Sequence, residues 1–266
     1  MDYLDKLENE SIYIIREAYS QIKEVAILWS IGKDSTTLLW LIRKAFFGQI
    51  PFPAIHIDTG YKFEEIYRFR EHYAKEWGLD LRIYKNEQAI RRGMSPDKGR
   101  FECCTQLKTD ALKIAVAKEN LKALYLGIRR DEHGIRAKER IFSVRDEEFE
   151  WNYKGQAPEL WGQYKTKVNS NEHIRIHPML NWTELDIWKY IEREKIPVVD
   201  LYFAKGGKRY RSIGCASCCE PVDSSADSID KILSELSTTT ISERSGRTQD
   251  KESRFIMQKL RSLGYM

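Results

Sequence analysis

The stretch AILWSIGKDSTTLL (residues 26–39) sets an apolar run on each side of a short polar loop. The first run, extended to VAILWS (25–30), is rich in β-formers and shows no alternation, as a strand covered on both faces requires. The second continues into Leu38, Leu41, Ile42 and Ala45 at helical spacing. Between them the order is Ser30-x-Gly32-x-Asp34-Ser35. Gly32 lets the backbone turn sharply and approach a ligand closely. Amides that open a helix have no intrahelical partners, and with the helix dipole they favour an anion. Ser30, Ser35 and Thr36 add hydroxyls, and Lys33 adds a positive charge. The spacing of a Walker loop is absent. The simpler alternative is a strand-to-helix turn capped by Asp34 or Ser35.

Outward from this loop the same alternation repeats. FPAIHID (52–58), LDLRIY (79–84) and ALYLGI (123–128) read as strands, and 3–22, 62–77 and 107–119 as helices. Strands alternating with helices predict an α/β fold with a doubly wound parallel sheet. Such sheets bind ligands at the carboxyl ends of their strands, where the loops at 30–36, 58–62 and 127–140 would lie. From 141 the pattern loosens, and 152–173 reads as surface loop. IRIHPMLNWTELDIWKYIERE (174–194) then reads as strand, turn and helix, with Thr183 and Asp186 spaced for a near-capping box. Ile229, Ile232, Leu233 and Leu236 mark one more helix. The chain thus divides into an α/β domain over 1–200 and a smaller, loop-rich C-terminal region over 201–266.

A chain of 266 residues with 42% hydrophobic content can bury about three quarters of its unfolded surface without staples. Its net charge of +4, from 44 basic and 40 acidic residues, is too small to predict a nucleic-acid surface and fits local anion sites better. The start, MDYLDKLENES, is acidic and lacks the features of a signal peptide, and no apolar run reaches the ~18 residues of a membrane span. The expected setting is therefore cytoplasmic, where disulfides are disfavoured and the five cysteines call for another explanation.

The loop resembles the pyrophosphate loop of the N-type ATP pyrophosphatases, whose usual form is S-G-G-x-D-S; Ile31 departs from it at the first glycine. Downstream, PFPAIHIDTGYKFEEIYRFRE (51–71), IRRDEHGIRAKERIFSVRD (128–146), HIRIHPMLNWTELDIWKYIE (173–192), VVDLYFAK (198–205) and TTTISERSGR (238–247) follow in order. Together they resemble the small catalytic subunits of heterodimeric bacterial sulfate adenylyltransferases, in the phosphoadenylyl-sulfate reductase superfamily. The similarity runs from about residue 5 to the C-terminus. It implies an adenine nucleotide alpha hydrolase-like fold, ATP and Mg²⁺ as cofactors, and sulfate as acceptor. It also implies a GTPase-type large subunit as partner, and no membrane.

The residues are chemically consistent with that reading. Asp58 and Thr59 end a strand beside the loop, offering a carboxylate to Mg²⁺ on ATP phosphates; a turn-forming aspartate is the alternative. Arg129, Arg130, Arg136, Lys138 and Arg140 crowd the segment after the fourth strand, and guanidinium forks suit sulfate and phosphate. A solvated helix face neutralised by Asp131, Glu132 and Glu139 competes with this. Arg244 and Arg247 flank a flexible glycine in a segment that the resemblance makes a lid over the nucleotide. Lys33, Asp58, Arg129 and Arg130 are the expected catalytic groups. His56, Trp182 and Trp188 read as packing residues.

FECCTQLK (101–108) and IGCASCCEP (213–221) hold the cysteines. The sulfate adenylyltransferase pattern does not include this set. Cys103-Cys104, a long gap, and Cys215-x-x-Cys218 resemble instead the [4Fe–4S] site of assimilatory adenylyl-sulfate reductases. Cys103 and Cys104 would precede the helix at 107–119 and draw thiolate character from its positive end. Zinc and inert buried thiols are the competing readings, and Cys219 is left over as a spare thiol or sulfur carrier. A reductase is disfavoured because no cysteine follows Cys219 and the chain ends QKLRSLGYM. Two further alternatives are a DNA phosphorothioation component working with a cysteine desulfurase on DNA, and a non-catalytic iron–sulfur sensor.

Overall fold

A computed structural model describes residues 2–151, 153–167, 169, 171–251 and 255–265. The apolar runs form strands β1 (Val25–Leu28), β2 (Ala54–Ile57), β3 (Leu81–Tyr84) and β4 (Ala123–Tyr125). They are followed by β5 (Phe142–Arg145) and β6 (His173–Ile176). Among the described residues the main sheet has the order β3-β2-β1-β4-β6-β5. Every neighbouring pair is parallel except β5 with β6, where Phe142 faces Ile176 and Arg145 faces His173 in antiparallel register. The expected all-parallel sheet is therefore corrected at one edge. FSVR is a run of four with polar Ser143 and Arg145, too short and mixed to read as a buried strand. A two-stranded ribbon, β7 (Lys208–Arg209) with β8 (Val222–Asp223), stands apart.

Helices α1 (Tyr3–Gln21), α2 (Lys33–Ala45) and α3 (Glu64–Glu76) cover the sheet early in the chain. A short α4 (Glu87–Arg91) leads to α5 (Arg100–Cys104), which runs through a π-helical stretch, Thr105–Asp110, into α6 (Ala111–Lys118). Then come α7 (Glu184–Glu194), α8 (Ile229–Thr238), α9 (Thr248–Lys251) and α10 (Ile256–Ser262). The α7 start is fixed by a true capping box: the Asp186 amide donates to Thr183 Oγ1 at 3.2 Å, and the Thr183 amide donates to Asp186 Oδ2 at 2.9 Å. Aspartate does here what glutamate usually does.

β1 and β2 are buried along their whole length, which is why β1 reads as a continuous apolar run and β2 as one broken only by His56. Tyr202, Ala226 and Ile232 join the same apolar core, so residues after 200 pack against the sheet they follow. His56, Trp182 and Trp188 lie in the interior as expected. No helix among the described residues is long and apolar enough to cross a membrane. The direction of strand order reverses between β1 and β4, and at their carboxyl ends a cleft opens.

Candidate active site

The cleft holds about 970 Å³, counting its open mouth. Leu28, Ile57, Leu126 and Ile128 from the strand ends form an apolar floor, and Ser30, Gly32, Lys33, Asp34 and Ser35 form one wall. Gly32 caps α2 in an extended conformation and supplies no side-chain cap of its own. The alternative of an Asp34 or Ser35 cap is thus corrected: Ser35 Oγ turns back to the Gly32 carbonyl at 3.1 Å and meets Ser30 Oγ at 3.0 Å. The Lys33 amide donates to the Tyr202 hydroxyl at 2.8 Å. Thr36 lies beneath the loop, its Oγ1 accepting from Trp29 Nε1 at 3.1 Å. Ile31, where related loops carry glycine, keeps a left-handed backbone with φ of 70°. That costs a branched residue roughly 1–2 kcal/mol, and burial of its side chain, worth roughly 1.5–3 kcal/mol, offsets it.

Beneath the loop lies a buried charge network. Arg129 is fully enclosed and pairs through Nε with Asp34 at 2.6 Å, through Nη1 with Asp131 at 2.6 Å, and through Nη2 with Glu243. Lys33 Nζ meets Asp34 at 3.1 Å and also Glu243. Burial works against the Lys33 charge, yet Asp34 and Glu243 outweigh it and hold its pKa above the usual lysine range. Burial would likewise raise Glu243, but Arg129 and Lys33 hold its carboxyl well below the usual range.

The opposite wall is cationic. Arg136, Arg244 and Arg247 line the cleft, together with Lys62 and Lys108, which sequence reasoning missed. Arg136 pairs with Glu132; Arg244 pairs with Glu132 at 3.0 Å and Asp250 at 2.7 Å. Arg130, Lys138 and Arg140 lie outside the lining: Arg130 reaches Asn181 and the Glu139 carbonyl, Lys138 is exposed, and the Arg140 carbonyl accepts from His177. Asp58 also lies outside it. Its carboxylate accepts from the Gly60 amide at 2.8 Å and the Tyr67 hydroxyl at 3.0 Å, and pairs with Lys85 at 3.1 Å. Glu243 and Tyr202 were missed too. Only the charged SERSGR run hinted at the first.

All five cysteines are free and buried. Cys103 and Cys104 do not precede a helix, as expected, but close α5 inside a helical run that begins at Arg100. The dipole therefore gives them no help. Burial pushes Cys103 up to about 12, with Cys104 and Cys215 adding to it, and burial raises Cys104 as well. Cys215 differs: burial opposes its ionisation, but Lys108 and Lys62 lower its pKa, and Thr59 Oγ1 sits at 3.2 Å. Lys62 makes no ion pair with a described residue, and burial lowers its pKa, with Lys108 and Arg247 working against Cys215. Buried thiols beside unneutralised cations have the charge balance of a thiolate-held centre. Among the described residues, however, no three His, Cys, Asp or Glu side chains converge to hold a metal ion as they stand.

Residues 24–221 match the phosphoadenosine phosphosulfate reductase domain family. Over an alignment of 296 positions the chain is 40% identical to sulfate adenylyltransferase subunit 2 of Proteus mirabilis (strain HI4320), taking in all of this chain and 98% of that one. The chain belongs to the sulfate adenylyltransferase subunit 2 family. Two solved structures share its fold. Phosphoadenylyl-sulfate reductase from Candida auris, in a phosphate complex, superposes with a TM-score of 0.56 at 18% identity, covering 84% of this chain and 98% of that one. FMN adenylyltransferase from Candida glabrata, in complex with ATP, gives 0.57 at 18% identity, covering 82% and 63%.

Proposed function

We propose that this chain transfers the adenylyl group of ATP to sulfate, releasing pyrophosphate, as the catalytic subunit of a hetero-oligomer. One observation carries the reading: a helix start whose cap residue, Gly32, has no side chain to offer opens at the strand-order reversal, facing Arg136, Arg244 and Arg247. The Lys33 amide is held by the Tyr202 hydroxyl, and the first-turn amides after it, of Asp34 and Ser35, receive the β- and γ-phosphates. Lys33 and the facing arginines neutralise charge on the departing pyrophosphate. A sulfate oxygen attacks the α-phosphorus, so the chain supplies alignment of two anions and needs no nucleophile of its own. Mg²⁺ bound to ATP would shield the phosphate charge, and Asp34 is the acidic residue of the loop that lines the cleft. The product anhydride is higher in energy than ATP's, so net synthesis calls for coupling to a partner, read here as a GTPase-type large subunit.

On the same reading Cys103, Cys104, Cys215 and Cys218 would hold a [4Fe–4S] cluster, or zinc as the alternative metal for four thiolates, once their side chains close further than they stand here. Bound there, it would bring redox-active iron beside the cleft. The Lys62 and Lys108 ammoniums would balance thiolate charge.

Sulfate-dependent exchange of labelled pyrophosphate into ATP, measured on the purified chain with its co-purifying partner, tests the transfer. Exchange that ignores sulfate would refute it. Anaerobic purification is expected to give a brown protein absorbing near ~400 nm with about four irons per chain. A colourless, iron-free protein containing zinc would reject the cluster.

A further inference from the structure

Glu243 lies where an anion would be expected and is itself the anion. It sits in a single turn, Glu243–Gly246, and its two oxygens bridge Lys33 and Arg129. Neither Glu243 nor Arg129 lines the cleft, whereas Lys33 does. Lys33, a residue of the cleft wall, is thus tied to a carboxylate that does not itself line the cleft. The C-terminal end of this turn is fastened independently of Lys33. The Glu220 amide donates to the Gly246 carbonyl at 2.8 Å, and a Cβ on Gly246 would collide with the Glu220 carbonyl. Arg247 Nη1 reaches Cys219 Sγ at 3.2 Å. With the turn pinned, the movable part is the four-carbon stem of lysine.

We propose that Glu243 is a positioning residue that stores Lys33: it serves as a surrogate anion until the polyphosphate of the nucleotide takes the ammonium over from it. The carboxylate keeps Lys33 charged and engaged before nucleotide binds, and its competition sets how tightly polyphosphate binds. Arg129 holds Glu243 in place throughout, so the released carboxylate keeps one partner. The inference rests on the nucleotide reading of the loop.

Calorimetric titration with inorganic pyrophosphate, on the full chain, separates the two claims. Wild-type binding establishes the loop as a polyphosphate site. Glu243→Gln keeps the shape and drops the charge, and it is expected to bind pyrophosphate about tenfold tighter. That gain should vanish when Lys33→Ala is added. Should Glu243→Gln fail to fold, Glu243→Asp keeps the charge on a shorter arm, and a gain of a few fold is expected. Unchanged or weaker binding by the folded variant, against a wild type that binds, overturns the storage role alone. Absence of binding by the wild type removes the nucleotide reading and this inference with it.

Discussion

Lys33→Ala is expected to lower sulfate-dependent pyrophosphate exchange by at least ~100-fold, the scale on which removal of one preorganised charge donor acts. Lys33 is 1% exposed, so water cannot take the place of the missing ammonium without opening the loop. The substitution also takes one of two cations from Glu243, while Arg129 stays paired with Asp34, Asp131 and Glu243. A stability loss of about 1–3 kcal/mol is expected from that half-broken pair, less than the full cost of stranding a buried charge. Thermal melts fix a temperature at which the variant is fully folded, and exchange is measured there. A folded variant within tenfold of wild type would remove Lys33 from the chemistry.

Gly127→Ala is expected to act on the same loop from the strand side. A Cβ at this position would stand 2.9 Å from the carbonyl carbon and oxygen of Asp34 and 3.0 Å from the Ser35 amide nitrogen. Those are backbone atoms of the phosphate-facing turn, so no side chain can swing aside to make room. The turn must shift by some tenths of an ångström, and its amides then miss the phosphates. Exchange is expected to fall more than tenfold, with a loss of roughly 1–3 kcal/mol in stability from overpacking. Gly134→Ala is the control, because a Cβ there meets nothing within 4 Å. Equal exchange in Gly127→Ala and wild type would mean that the loop is not held against β4 as the structure has it.

Both effects concern residues whose importance the sequence showed unequally. Lys33 announces itself between Gly32 and Asp34 in a loop flanked by two apolar runs. Gly127 follows a strand in ALYLGI and looks like any strand-ending glycine. Its role exists only because β4 lies beside β1, almost a hundred residues earlier in the chain.

Short-range physics was legible throughout. The unbroken apolar run of β1, the helical spacing of α2 and α8, and the Thr183–Asp186 box each depend on residues within a few positions of one another. Their energies are settled by local dihedrals, neighbouring side chains and burial on both faces, which composition and period report directly. The same local reading placed the loop at a strand's carboxyl end and named the cysteines.

What it could not decide was which charges answer one another. Arg129 looked like one fork in a basic cluster, yet it is enclosed under the loop by Asp34 and Glu243, 95 and 114 positions away. Asp58 looked free for Mg²⁺, yet Lys85, Tyr67 and the Gly60 amide take it up. Lys62 and Lys108 carried no local mark, and β5 became a strand only by pairing with β6. A charge acts through the partners that folding brings within a few ångströms, and those partners, unlike a helical period, leave no trace in the residues beside it.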